Sequence, residues 1–193
     1  MFQKTMIAAL SVSSLLPLAQ VQAADYIIDK EGQHAFIQFK ISHLGYSYIL
    51  GSFEDFSGNF SYDPEDVASS SVNVDVNVSS LNSNHAERDK HILNEDFLDA
   101  SEYPTATFES TGFESTGEGE GKLTGDLTLH GVTNEITMDV THIGGGKDPW
   151  GGYRDGFEGT TNLTLADYDI DMSKFPPVMQ ELELYVVFEG IRQ

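Results

Sequence analysis

Apolar and polar positions alternate with a period of two along most of this chain. In Ser71 to Ser79, Val72, Val74, Val76 and Val78 share one face, and Ser71, Asn73, Asp75 and Asn77 share the other. A strand with one dry and one wet face has this pattern, as in an antiparallel sheet solvated on one side only. Between Leu123 and Val140 the pattern occurs twice. Leu123, Gly125, Leu127 and Leu129 keep one parity, and Ile136, Met138 and Val140 keep another. Two half-buried strands are predicted there, joined by a tight turn at His130-Gly131-Val132-Thr133.

The same reading extends along the chain. After a short lead-in at Tyr26 to Asp29, Ile37, Phe39 and Ile41 alternate with Gln38, Lys40 and Ser42. Further strands are predicted over Ile49 to Tyr62 with a break at Ser57-Gly58, over Thr105 to Phe113, over Phe157 to Ala166, and through Leu182, Leu184, Val186 and Phe188. The period of two fails in Asn82 to Asn94. There Ala86, Lys90 and Leu93 recur at spacings of three or four behind Asn82 or Ser83 as a cap, which predicts one short helix. Gly144 to Gly146 and Gly151-Gly152 predict a glycine-rich loop around Trp150, the only tryptophan. The sum is an all-β chain of eight consecutive antiparallel strands with one inserted helix. Such a chain forms a closed barrel or a two-sheet sandwich, and closure removes exposed strand edges. Alternation alone serves a filled core as well as a lumen, and close packing favours the filled core.

Charge and the N-terminus narrow the setting. Lys4, the apolar run Met6 to Leu18 and the small-residue end Val21-Gln22-Ala23 have the form of a secretory signal, with cleavage expected before Ala24. Residues 1–23 are therefore assigned to a removed signal peptide and 24–193 to one domain. Without Lys4, nine basic residues stand against 31 acidic ones, a formal charge of −22. Such a surface repels phosphate backbones, so nucleic acid is not an expected partner, and membrane contact is expected to be transient at most. The chain has no cysteine, so an export-competent fold must rest on its apolar core.

Candidate chemistry is sparse. His85 and His91 lie on different faces of the predicted helix, and no H-E-x-x-H occurs. His43 and His130 flank glycines at strand ends, where turn-stabilising roles are expected. Asp167, Asp169 and Asp171 imitate the start of a calcium loop, but the required glycine and the bidentate glutamate are absent. No nucleophile elbow, P-loop or dinucleotide motif is present, so neither an enzyme, a catalytic cofactor nor a metal is predicted.

Several short motifs carry a resemblance. His43-Leu44-Gly45, Phe53-Glu54-Asp55-Phe56-Ser57-Gly58, Asp63-Pro64-Glu65-Asp66, Asn84 to Asp89, Asp96 to Asp99, Tyr103-Pro104, Gly125 to Thr133 and Asp148 to Gly152 occur in an order and spacing similar to the YceI family over essentially the whole of 24–193. The resemblance implies an extended, lipocalin-like eight-stranded antiparallel barrel. It further implies a periplasmic protein that holds a polyisoprenoid, an isoprenoid quinone or a similar long amphiphile in its lumen. On that view the inward parity supplies the ligand contacts: Ile37, Phe39 and Ile41 from one strand, Val72, Val74 and Val76 from another, then Leu127, Leu129, Met138 and Leu184. Trp150 is counted with them as a lid or plug at the mouth, with ordinary core packing as its alternative. Gly125, Ala35 and Ala106 would leave room along the axis. The alternatives are an enzyme acting on an isoprenoid head group through His43, His130 or the acidic residues near the mouth, and a filled-core barrel with a structural or interaction role. Oligomeric state is left open.

Overall fold

The computed structural model describes residues 23–193; the predicted signal segment, all but its last residue, lies outside them. Eleven strands form one antiparallel sheet: β1 Ala24–Ile28, β2 Ala35–His43, β3 Ser47–Phe53, β4 Phe56–Tyr62, β5 Ser71–Asn77, β6 Leu81–Asn82, β7 Thr105–Gly117, β8 Glu120–Leu129, β9 Val132–Lys147, β10 Tyr153–Thr164 and β11 Glu181–Arg192. One helix, α1, spans Ala86–Ile92. The sheet closes because β1 pairs with both β4 and β11. β2 continues the line of β1 along β11, with Leu184 opposite Phe39, and β3 and β6 continue β4 and β5 in the same way. The eleven segments therefore make eight staves, the closed eight-stranded barrel that the resemblance implies, and not the two-sheet sandwich that alternation also allowed.

Strand direction defines two ends. The β2–β3 and β8–β9 turns, α1 and the segment 165–180 gather at one end, the cap. The start of β1, the end of β11 and the β7–β8 and β9–β10 turns gather at the other, the base. At the cap, Leu129 pairs with Val132 across the two-residue turn His130-Gly131, both with positive φ (51° and 74°). This is the turn geometry whose twist matches a hairpin. His130 tolerates it because its Nδ1–H donates to the Tyr168 carbonyl at 2.9 Å, and the ring of Tyr103 occupies the place of a Gly131 side chain.

Several expectations need correction. The helix begins later than predicted: His85 caps it, accepting from the Arg88 amide at 3.2 Å, while Asn82 belongs to β6 and Ser83 is buried beside Asp89. Ala86 and Lys90 face solvent, Leu93 packs on the core beside Ile92, and Arg88, half-buried, and His91, exposed, stand at the rim of the cavity. Gly144 to Gly146 lie in β9, paired with Arg154 to Gly156. Gly145 there leaves room for the Asp155 carboxylate, which a Cβ would meet at 2.6 Å. Trp150 is 78 % exposed on the β9–β10 turn beyond the base, held by its amide to Asp148 Oδ1 (2.9 Å) and stacked over Arg154. It is neither a lumen residue nor core, because the long hairpin carries it outside the barrel.

Gly125 does not open the axis either. Its missing side chain is replaced by the Phe108 ring, which a Cβ would meet at 2.5 Å. Phe39 covers Gly51, Phe113 covers Gly121 and Phe60 covers Gly190 in the same manner. Aromatic rings laid over strand glycines shield the backbone and keep large side chains flat against the wall.

Candidate functional site

The interior holds a cavity of about 400 Å³. Ile37, Phe39 and Ile41 of β2, Val72, Val74 and Val76 of β5, Leu127 and Leu129 of β8, Met138 of β9 and Leu184 of β11 all line it, as parity predicts. Trp150 does not. The cavity also takes in Ile49 and Phe53 of β3, Ile136 of β9 and Leu163 of β10, inward positions of the same alternation. The walls are aliphatic and aromatic along most of their length, so the interior is not the filled core that packing density alone favours.

Toward the base an aromatic cluster closes the lumen. Tyr26 stacks on Phe60 with centroids 4.7 Å apart, and the Phe157 ring meets Phe60, Tyr62 and His142. Beneath it lies a buried polar knot. Asp155, 4 % exposed, accepts from the Tyr26 hydroxyl at 3.2 Å and from His142 Nε2 at 2.5 Å. Burial, aided by the Asp155 charge, pushes the Tyr26 hydroxyl up to about 12 and also raises Tyr62. On the outer face Arg154 joins three carboxylates: Nη1 contacts Asp29 and Glu189 at 2.5 Å each, and Nε contacts Asp148 at 3.2 Å. The Arg154 bond holds Asp29 below the usual carboxylate range. His34 stands 3.3 Å from Asp29 and 3.5 Å from Glu189, a group whose spacing suits a metal ion, but the guanidinium already lies between the two carboxylates.

At the cap the lining changes character. Phe97, Phe175 and Met179 come from the segments that fold across the barrel, and α1 brings Arg88, half-buried, and His91, exposed. The Arg88 Nε donates to Ser83 Oγ at 2.7 Å and Nη2 to the Ser83 carbonyl at 2.5 Å. Ser83 is 3 % exposed, and its hydroxyl donates to Asp89 Oδ1, which also accepts the Ser83 amide at 2.9 Å. The His91 ring rests edge-on against Phe97, centroids 4.9 Å apart. Arg88, and the position of His91 at the cavity, do not follow from the Ala86, Lys90 and Leu93 spacing by which the helix is recognised. The usable signal was the spacing of Arg88, His91 and Ile92, which puts them on one face. His43 is exposed at the β2–β3 tip, and His130 is committed to its turn, so neither lies in the lumen.

Residues 26–189 match the family model of the YceI-like domain. The chain belongs to the YceI family. Among curated relatives, a UPF0312 protein of Ectopseudomonas mendocina (strain ymp) is 55 % identical over 190 residues, covering 98 % of this chain and 99 % of that one. Among solved structures, BcnA of Burkholderia cenocepacia shares the fold with a TM-score of 0.75 at 21 % identity, over 84 % of this chain and 98 % of that one. A polyisoprenoid binding domain from Saccharophagus degradans aligns with a TM-score of 0.62 at 13 % identity, over 89 % of this chain and all of the other. The family match thus runs from β1 into β11 and takes in the elements of the lumen and the cap.

Proposed function

We propose that this protein binds the tail of a polyisoprenoid, an isoprenoid quinone or a similar long amphiphile in the barrel lumen, and that it acts as a carrier in the periplasm after loss of residues 1–23. The observation that carries the reading is the cavity of about 400 Å³ lined by apolar side chains from cap to base. Its size lies within the range of small-molecule sites. An apolar tail needs no polar partner there: each buried methylene contributes about 0.8 kcal/mol, so several isoprene units exceed the cost of association. The bond-free character of this mechanism suits a lumen whose lining holds no nucleophile paired with a base. The barrel shared with the polyisoprenoid binding domain of S. degradans supports the ligand class, and the signal-like N-terminus supports the compartment.

Mass spectrometry of an organic extract of the protein, purified from its own periplasm, is the direct test; an isoprenoid lipid in stoichiometric amount is the expected result. A protein that carries no lipid, and whose melting temperature does not rise with an added prenyl alcohol, would contradict the carrier reading.

A further inference from the structure

We propose that Arg88, with His91 one turn further along α1, binds a phosphate-type oxyanion at the head of the amphiphile. This rests on the tail-binding reading above and assigns the head group to the cap end of the lumen.

Three observations carry it. First, among the residues that line the cavity, Arg88, His91 and Glu158 bear ionisable groups that can carry charge near neutral pH. Glu158 is spoken for, its carboxylate accepting from the Tyr185 hydroxyl at 2.7 Å; Tyr185 lies between the inward-facing Leu184 and Val186 on β11, which puts this contact on the outer face. The charge offered to the lumen is therefore positive, in a chain of net charge −21.

Second, the guanidinium is held in place without a direct ion pair, the Asp89 carboxylate reaching it only through the Ser83 hydroxyl. Ser83 takes Nε and the Nη2 hydrogen bond, and Ser83 is itself anchored to Asp89. Among the described residues no carboxylate lies within ion-pair distance of Arg88, whereas Arg154 has three. The Nη1 donors and the second Nη2 hydrogen remain for a ligand. Held in this way, Arg88 loses little side-chain entropy on binding, and guanidinium–phosphate bonds are charge-assisted.

Third, the place suits an amphiphile. Arg88 and His91 stand at the cap rim, with Ile92, Phe97 and Phe175 beside them on the lumen side. An apolar tail passing those side chains puts its first polar group at the guanidinium. A neutral carbonyl or hydroxyl would accept a hydrogen bond there but leave the charge uncompensated.

Calorimetric titration of the mature protein with farnesyl diphosphate and with farnesol tests this, since both carry the same tail. Wild type is expected to bind the diphosphate about tenfold to a hundredfold more tightly, the scale of one or two charge-assisted bonds. Raising salt from about 50 mM to about 500 mM should erode that preference and leave farnesol binding unchanged. Arg88→Gln should remove most of the preference while keeping farnesol affinity, and Arg88→Lys, which keeps charge but loses the fork to Ser83, should retain part of it. Lys122→Gln, on the outer wall, should change neither. Equal affinity for the two compounds in wild type, a preference that survives Arg88→Gln, or an equal loss for both compounds in that variant would overturn the assignment. Should Arg88→Gln not fold, Ser83→Ala takes its place, with a reduced preference expected and an unchanged one counting against the proposal. Failure of both compounds to bind would refute the tail-binding reading as well; farnesol binding without preference refutes the head-group site alone.

Discussion

At the base, Arg154 is surrounded by Asp29, Asp148 and Glu189; at the cap, Arg88 meets a serine and no carboxylate. Both guanidiniums are partly buried in a strongly acidic chain, so the contrast does not follow from a shortage of acids. The base charges are spent on one another. Asp148 accepts the Trp150 and Gly152 amides as well as Arg154, and Asp29 accepts the Gly32 amide at 2.8 Å. Such a network ties β1, β9, β10 and β11 together where the barrel closes. The cap arginine is positioned instead of saturated, beside a dry cavity. The saturated arginine holds strands together, whereas the arginine at the lumen rim has donors left over, on which the proposed head-group site rests.

The comparison can be broken at several points. Arg154→Met leaves the buried Asp29 carboxylate without its cation and is expected to cost about 3–5 kcal/mol by denaturant unfolding. Arg88→Met removes neutral-acceptor bonds only and should cost about 1 kcal/mol; equal costs would mean that Arg88 is structural too. Gly125→Ala is expected to cost about 1–3 kcal/mol, because its Cβ meets the Phe108 ring at 2.5 Å and the Glu109 carbonyl at 2.6 Å. The displaced ring must swing into the lumen, so tail binding should weaken with stability, in contrast to Arg154→Met.

Acid gives a smaller and more local effect. The folded Asp29 carboxyl lies below its unfolded value, so its contribution is complete above about pH 4 and is lost as pH falls through the folded value. Asp29→Asn should flatten that limb of the stability profile and leave the diphosphate preference at the cap unaltered. At the alkaline side, Tyr26 and Tyr168 are pushed up to about 12 by burial, with neighbouring Asp155 and Asp167 adding to it. Their raised folded values mean that stability is complete below about pH 10 and is lost as pH rises through about 12. The smallest change is expected for Tyr168→Phe. The Tyr168 hydroxyl is buried without a partner among the described residues, so its removal should be neutral or stabilising by less than about 1 kcal/mol, and should blunt the alkaline loss.

The ten aliphatic and aromatic lumen residues were legible in the sequence because side-chain direction in a strand is a local property. Val72, Val74 and Val76 must face together whatever else the chain does. Strand number followed from the same rule once β1 with β2, β3 with β4 and β5 with β6 are counted as single staves. Trp150 lies outside that rule, on the β9–β10 turn, and the glycines around it do not say whether the turn packs over the mouth or stands away from it. The helix was legible but its inward face was not, because Ala86, Glu87, Arg88, Lys90 and Ile92 are apolar or long and allow more than one inward face, and the choice depends on which face meets the barrel mouth.

Alternation, and the presence of a turn after Leu129 and of one helix, are set by steric preferences spanning a few residues, so the amino-acid order suffices for them; the turn is shorter than the four residues expected because Val132 and Thr133 pair in β9, and its geometry also draws on Tyr168 and Tyr103. The join of β1 to β11, the Arg154–Asp29 contact across 125 positions and the placing of Arg88 over the lumen depend on closure of the whole sheet. Whether the dry face is packed solid or left hollow also depends on closure. The circumference of eight staves, with Phe39, Phe60, Phe108 and Phe113 laid flat over glycines, leaves a void that no local pattern specifies.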